Sequence, residues 1–122
     1  MNLPLTQEQA MVRDMIRDFA RTEIEPAAQD YNEKGQYPAS LIKKLGELGL
    51  FGMMVPENFG GSAAGAVSYS LALQEIAWAC ASIAVTLSVT NLVTEPMLNF
   101  ATDDQKRRFL IPLASGEHVG AF

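Results

Sequence analysis

Residues 76–94 read IAWACASIAVTLSVTNLVT, a stretch without a charged side chain. Its length approaches the roughly 20 apolar residues of a membrane-spanning helix, so how it is read decides the fold. Ser82, Thr86, Ser88, Thr90, Asn91 and Thr94 dilute it, and acidic Glu75 and Glu95 flank it where Lys or Arg would anchor a span. The expectation is therefore a helix at the centre of a soluble helical protein, with no membrane span.

Working outward, the helical period continues in both directions. Ala81–Ser82 is a plausible break, with Ser82 capping a helix over about Ile83–Val93. Thr94, Glu95 and Pro96 then predict a kink and a short continuation through Phe100. Upstream, a helix is expected from about Val67 to Ala79, with Tyr69, Leu73, Ile76 and Ala77 on one side. Before it, Phe51–Gly61 carries Pro56, Gly60 and Gly61 and reads as a connection, which the Gly/Ala-rich patch extends to Gly65.

At the N-terminus, Thr6 and Gln9 make a capping-box pattern that starts a helix at Gln7. Val12, Met15, Ile16, Phe19 and Ala20 form its apolar stripe, with Asp14–Arg17 and Asp18–Arg21 as exposed pairs. Pro26 bends that helix and Gly35 closes it. A second helix starts at Pro38, carries Leu41, Ile42, Leu45 and Leu48, and stops at Gly49. Thr102 and Gln105 repeat the capping box before a last helix with Phe109, Leu110 and Leu113, ended by Ser115–Gly116. Val119–Phe122 reads as the beginning of something extended. The fold class is all-α, a bundle of about five to six helices in one domain over residues 1–122.

Composition narrows the function. The net charge is −5 with 9 basic and 14 acidic residues. The largest basic run is Lys106–Arg107–Arg108, which lacks the basic face that nucleic acid requires. Cys80, the single cysteine, allows no internal disulfide and fits a reducing compartment. The first residues show neither the basic start nor the apolar core of a signal peptide, so the expected location is cytoplasmic.

From the residues alone no active site emerges. His118 is the only histidine, which excludes metal sites built on several imidazoles, and its polar turn predicts a solvated side chain. Cys80 reads as core packing. Gly60–Gly61 lies in no phosphate-loop pattern and reads as a turn. Glu75 and Glu95 read as acids at the edge of the core. Ala84, Val85, Ser88, Val89 and Leu92 share one side of the central helix, where small residues either permit close helix packing or leave room for an apolar ligand.

Four stretches carry a family resemblance. They are Leu5–Gln9 leading into Arg17–Ala20 and Ile24–Ala27; Leu45–Gly52 followed by Val55–Gly61; Ala72–Ala77 running on to Ser88–Val89 and Pro96; and Phe100–Lys106, then Leu113–Glu117 and Gly120–Phe122. In register, they resemble the N-terminal helical domain of the acyl-CoA dehydrogenases from Leu5 to Phe122.

The resemblance implies an FAD-dependent enzyme that desaturates acyl-CoA thioesters, a carboxylate taking the α-proton while the β-hydrogen leaves as hydride to the flavin. It implies acyl-CoA as substrate, an electron-transferring flavoprotein as electron acceptor and a homo-oligomer at full length. By position, Ala84, Val85, Ser88 and Leu92 become candidate residues of the acyl wall, and Phe122 an aromatic at the edge of the flavin site. No catalytic residue is expected here. The family's middle β-domain, its C-terminal helical domain and the catalytic glutamate fall outside these 122 residues, so the chain alone is expected to be inert and to bind no FAD tightly. Two other readings are a free-standing helical module that binds acyl groups or a protein, and a same-fold flavin oxidase or monooxygenase.

Overall fold

A computed structural model describes residues 4–121. All its regular elements are helical. The first rod comprises α1 (Gln7–Phe19), a π-helical turn (Ala20–Ile24) and α2 (Glu25–Lys34). It starts as expected: the Thr6 hydroxyl accepts from the Gln9 N–H at 3.1 Å, and the Gln9 side chain accepts from the Thr6 N–H at 3.0 Å. The wide turn precedes Pro26, whose ring crowds the carbonyl four residues back and which offers no N–H. Its closing bond runs instead from the Glu25 N–H to the Ala20 carbonyl.

Beyond Gly35 follow α3 (Ala39–Glu47), two short 3₁₀ turns (Leu50–Gly52 and Glu57–Phe59), α4 (Gly65–Ala79) and α5 (Ala81–Phe100). The last rod is α6 (Asp103–Gln105), a second π-helical turn (Lys106–Leu110) and α7 (Ile111–Ser115). Among the described residues this makes five helical rods and no strand, the all-α bundle expected. Thr102 and Gln105 form the second capping box, with bonds of 2.9 and 3.3 Å.

The core gathers Ile16, Ala20 and Ile24 from the first rod, Leu41, Ile42 and Leu45 from α3, Leu50 and Phe51 from the first 3₁₀ turn, Ala72 and Ile76 from α4, and Ile83, Ala84 and Leu87 from α5. Each large aliphatic or aromatic side chain buried there contributes about 1.5–3 kcal/mol. A smaller cluster, Val55, Leu110 and Ala114 with Met97 and Leu98 against it, fastens the last rod to the far end of α5. Gly116 ends that rod at φ +78°, and a Cβ there would come within 2.6 Å of the Gly46 Cα, so two bare backbones touch.

Several expectations need correction. Ser82 does not cap α5: the break is one extended residue, Cys80 (φ −159°, ψ 111°), and no side chain caps the helix. Pro96 does not divide α5, which runs unbroken to Phe100. The missing proline N–H removes one bond, toward the Leu92 carbonyl, and the Thr94 hydroxyl adds one to the Asn91 carbonyl at 2.8 Å. Met15 and Ala77 are exposed, and so is Leu48 at the end of α3. The buried lines run through Ile16–Ala20–Ile24 and Ser68–Ala72–Ile76, and a residue one position off lies about 100° round the helix. Arg17 keeps Asp14 within ion-pair range at 3.9 Å but gives its hydrogen bonds to another helix, while Arg21 stacks over Trp78 at 5.2 Å.

By length and composition α5 could cross a membrane, and one third of its apolar window is buried within this chain. It packs against α4, the Leu50 turn and the last rod. The core helix of a soluble protein passes the same test.

Candidate functional site

Helix α5 is the element around which an open site is built. Its inner face is held by polar as well as apolar contacts. The Asn91 amide donates to the Leu50 carbonyl at 3.3 Å and to the Leu87 carbonyl at 3.0 Å. The Thr90 hydroxyl, fully buried, donates to the Thr86 carbonyl at 3.0 Å and accepts from the Gly120 N–H at 3.2 Å. Gly120 sits close against Val93 and Leu113, so the segment after α7 is fixed to α5 at that point.

On its side toward α4, α5 lines an open cleft of about 470 Å³. Ser88, Val89, Leu92 and Glu95 form one side; Met54 and Tyr69 stand among the residues opposite. The Ser88 hydroxyl donates to the Val85 carbonyl at 3.0 Å, which leaves its lone pairs to the cleft. Burial pushes the Tyr69 hydroxyl above its ordinary pKa, so it stays protonated at neutral pH. On the other flank Leu92, Val93, Pro96 and Met97 line a second, almost wholly apolar hollow of similar volume. Leu92 is the ridge between the two.

The four proposed wall residues thus have different places. Ser88 and Leu92 border the cleft. Val85 stands exposed one turn before Ser88, outside that lining. Ala84 is 6% exposed and belongs to the core. Phe122 lies outside the described residues. Met54 and Tyr69 lie away from α5 in sequence and join its cleft only when α4 and the loop after the Leu50–Gly52 turn fold against it; the signal available was Tyr69, a polar-tipped aromatic on the apolar side of its helix.

Neither acid is placed as a proton acceptor. Glu75 accepts two hydrogen bonds from Arg17, at 2.7 Å from Nη2 and 3.1 Å from Nε, and that pairing holds its carboxyl below the usual range. Glu95 is exposed at the end of the cleft. His118 is exposed, as a turn residue should be. Cys80 is partly buried against the core and borders a smaller hollow of about 180 Å³ with Tyr31, Pro38 and Ile83. Among the described residues no group of His, Cys, Asp or Glu could hold a metal ion.

The arrangement is a mostly apolar groove beside α5. Comparison with known proteins supplies its context. The family model described as "Acyl-CoA dehydrogenase, N-terminal domain" matches residues 6–117. The chain belongs to this family. An acyl-CoA dehydrogenase of Bacillus subtilis is 50% identical over 97% of this chain and 31% of its own length. The bovine mitochondrial short-chain specific acyl-CoA dehydrogenase is 39% identical over 99% of this chain and 30% of its own.

Solved structures agree on the fold. Butyryl-CoA dehydrogenase from Megasphaera elsdenii superposes with a TM-score of 0.88 at 35% identity, covering 98% of this chain and 32% of that one. A glutaryl-CoA dehydrogenase bound to glutaryl-CoA gives 0.91 at 26% identity, covering 98% and 31%. The domain thus spans about a third of the length of the relatives it matches.

Proposed function

We propose that this domain forms one wall of the acyl pocket in an FAD-dependent acyl-CoA dehydrogenase that desaturates acyl-CoA thioesters between Cα and Cβ. The observation that carries the reading is the open cleft beside α5, apolar for most of its surface and bordered by Ser88 and Leu92, in a chain of this family. An acyl chain needs a long apolar groove of fixed shape, and side-chain bulk along such a wall competes with methylenes for volume. A 20-residue helix anchored at Asn91 and Thr90 supplies that rigidity.

FAD would supply the hydride acceptor in this chemistry. The cleft does not fit its diphosphate: its wall carries no Lys or Arg, and Gly60–Gly61 are spent on a tight turn against Val55 and Gly52. In this reading the flavin and the proton-abstracting carboxylate are held by parts of the enzyme beyond this domain, and the 122 residues alone are inert. An electron-transferring flavoprotein is the proposed electron acceptor.

The experiment is anaerobic titration of the full-length flavoprotein carrying this domain with straight-chain acyl-CoA. Bleaching of the flavin absorbance with formation of enoyl-CoA is expected. Flavin that stays oxidised with every acyl-CoA offered would overturn the reading, and turnover by the 122 residues alone would overturn their inertness.

A further inference from the structure

We propose that the Tyr69 side of the α5 cleft is a hydrogen-bonding subsite for an uncharged oxygen, carried by a hydroxylated acyl chain or by an ordered water. The first of these sources rests on the acyl-pocket reading. Two hollows meet at Leu92, and they differ in kind. The one lined by Leu92, Val93, Pro96 and Met97 presents no polar side chain. The cleft on the other flank sets Tyr69, Ser88 and Asn91 among its apolar neighbours, groups for which a bare alkyl chain has no use.

Tyr69 supplies a donor. Its hydroxyl stays protonated through burial and has no hydrogen-bond partner among the described residues. Acceptors are unmet as well. Asn91 is 4% exposed and directs its amide protons to the Leu50 and Leu87 carbonyls, at 3.3 and 3.0 Å. The amide cannot turn over, because its oxygen would then face those two carbonyls. Asn91 Oδ1 is thus held in place, covered, with nothing donating to it among the described residues. Ser88 gives its proton to the Val85 carbonyl and keeps its lone pairs free. Polar groups inside a fold are seldom left without partners, and water or a ligand oxygen commonly completes them. A hydroxyl suits this lining because it accepts from Tyr69 and still has a proton to donate. A carboxylate or phosphate does not, since no Lys, Arg or His in the lining offsets its charge. The subsite is fixed by Tyr69, whichever way an acyl chain runs along α5.

The test uses the full-length flavoprotein and acyl-CoA thioesters of one length, unsubstituted or hydroxylated at successive carbons beyond Cβ. With the acyl chain as source, one hydroxyl position lowers Kd below that of the unsubstituted thioester by about three- to tenfold, the worth of one neutral hydrogen bond. Tyr69→Phe then brings the ratio back to near one. With water as source, no position is preferred, and crystals of the wild type show an ordered oxygen about 3 Å from Tyr69 Oη that Tyr69→Phe lacks. A preference that survives Tyr69→Phe overturns the proposal. So does the absence of any preference together with a Tyr69 hydroxyl that is unpaired or bonded to another group of the protein. Thioesters that neither bind nor bleach the flavin overturn the acyl-pocket reading and the chain as source, while crystals without thioester still decide for or against the water.

Discussion

Arg17 on α1 reaches across to Glu75 on α4 and grips its carboxylate with two nitrogens, Nη2 at 2.7 Å and Nε at 3.1 Å. Planar guanidinium and carboxylate meet side by side, which fixes the rotation of one helix against the other as well as their distance. The side-chain bond from Arg17 is the main cause of the lowered Glu75 pKa, opposed by partial burial. A carboxyl whose folded pKa lies below its unfolded one stabilises the fold above the ordinary carboxylate range and loses that contribution as pH falls through the folded value. Urea midpoints measured against pH should therefore show wild type above Glu75→Gln at neutral pH, with the gap closing in acid. A gap that widens in acid would contradict the pairing.

Gly116→Ala should be strongly destabilising. The residue is held at φ +78°, and its Cβ would strike the Gly46 Cα and the Phe51 ring. Strain of this kind costs on the order of 1–3 kcal/mol before any backbone shift is counted. Thermal melting of the variant should drop by several degrees; a melting point equal to wild type would mean that α3 and α7 do not approach as closely as described.

Thr90→Val keeps the shape of a buried side chain and removes the acceptor of the Gly120 N–H. Leaving that buried donor unpaired costs roughly 1–3 kcal/mol. Amide exchange at Gly120 should accelerate more than exchange in the core of α4, because the segment after α7 loosens before the bundle does. Uniform acceleration across the domain would argue instead for a general loss of stability.

Leu92→Trp fills the cleft from its ridge. In the full-length enzyme the expected result is a fall in kcat/KM that grows with acyl chain length, since each methylene excluded is worth about 1–3 kcal/mol in an apolar pocket. Steady-state kinetics over a series of straight-chain thioesters reads this directly. A loss independent of length would place Leu92 outside the pocket.

Local signals were legible wherever a few neighbouring residues decide the outcome. Both capping boxes, at Thr6 and Thr102, follow from two residues three apart, and both form. Gly35, Gly49 and Gly116 each end a helix in the left-handed region, as their positions foretold. What sequence could not supply were the choices settled by tertiary partners. Arg17 has an acid three residues away yet gives its hydrogen bonds to one 58 residues away, because Glu75 offers a partly buried site where the bond is stronger than on the surface. Pro96 looked like a break, yet α5 stays helical past it, where Met97 and Leu98 pack against the smaller cluster. The cleft itself is a product of α4 packing on α5, so Ser88 and Leu92 could be named from one helix while Met54 and Tyr69 could not.

The two π-helical turns share a detail with a wider consequence. Each lies just ahead of a proline, Ala20–Ile24 before Pro26 and Lys106–Leu110 before Pro112. A π turn accommodates one residue more than an α turn, so every side chain downstream is rotated by about 100° from where a regular helix would aim it. The prolines keep that extra residue from being absorbed, because a tightened turn would drive their rings into a carbonyl. They act as phase locks. Pro26 keeps Ala27 and Tyr31 aimed at the core that Ile16 enters ahead of the turn and Ile24 at its end, and Pro112 does the same for Leu113 and Ala114 after Leu110. Deleting one residue from either turn would put two halves of a single rod out of step, with each half still a good helix.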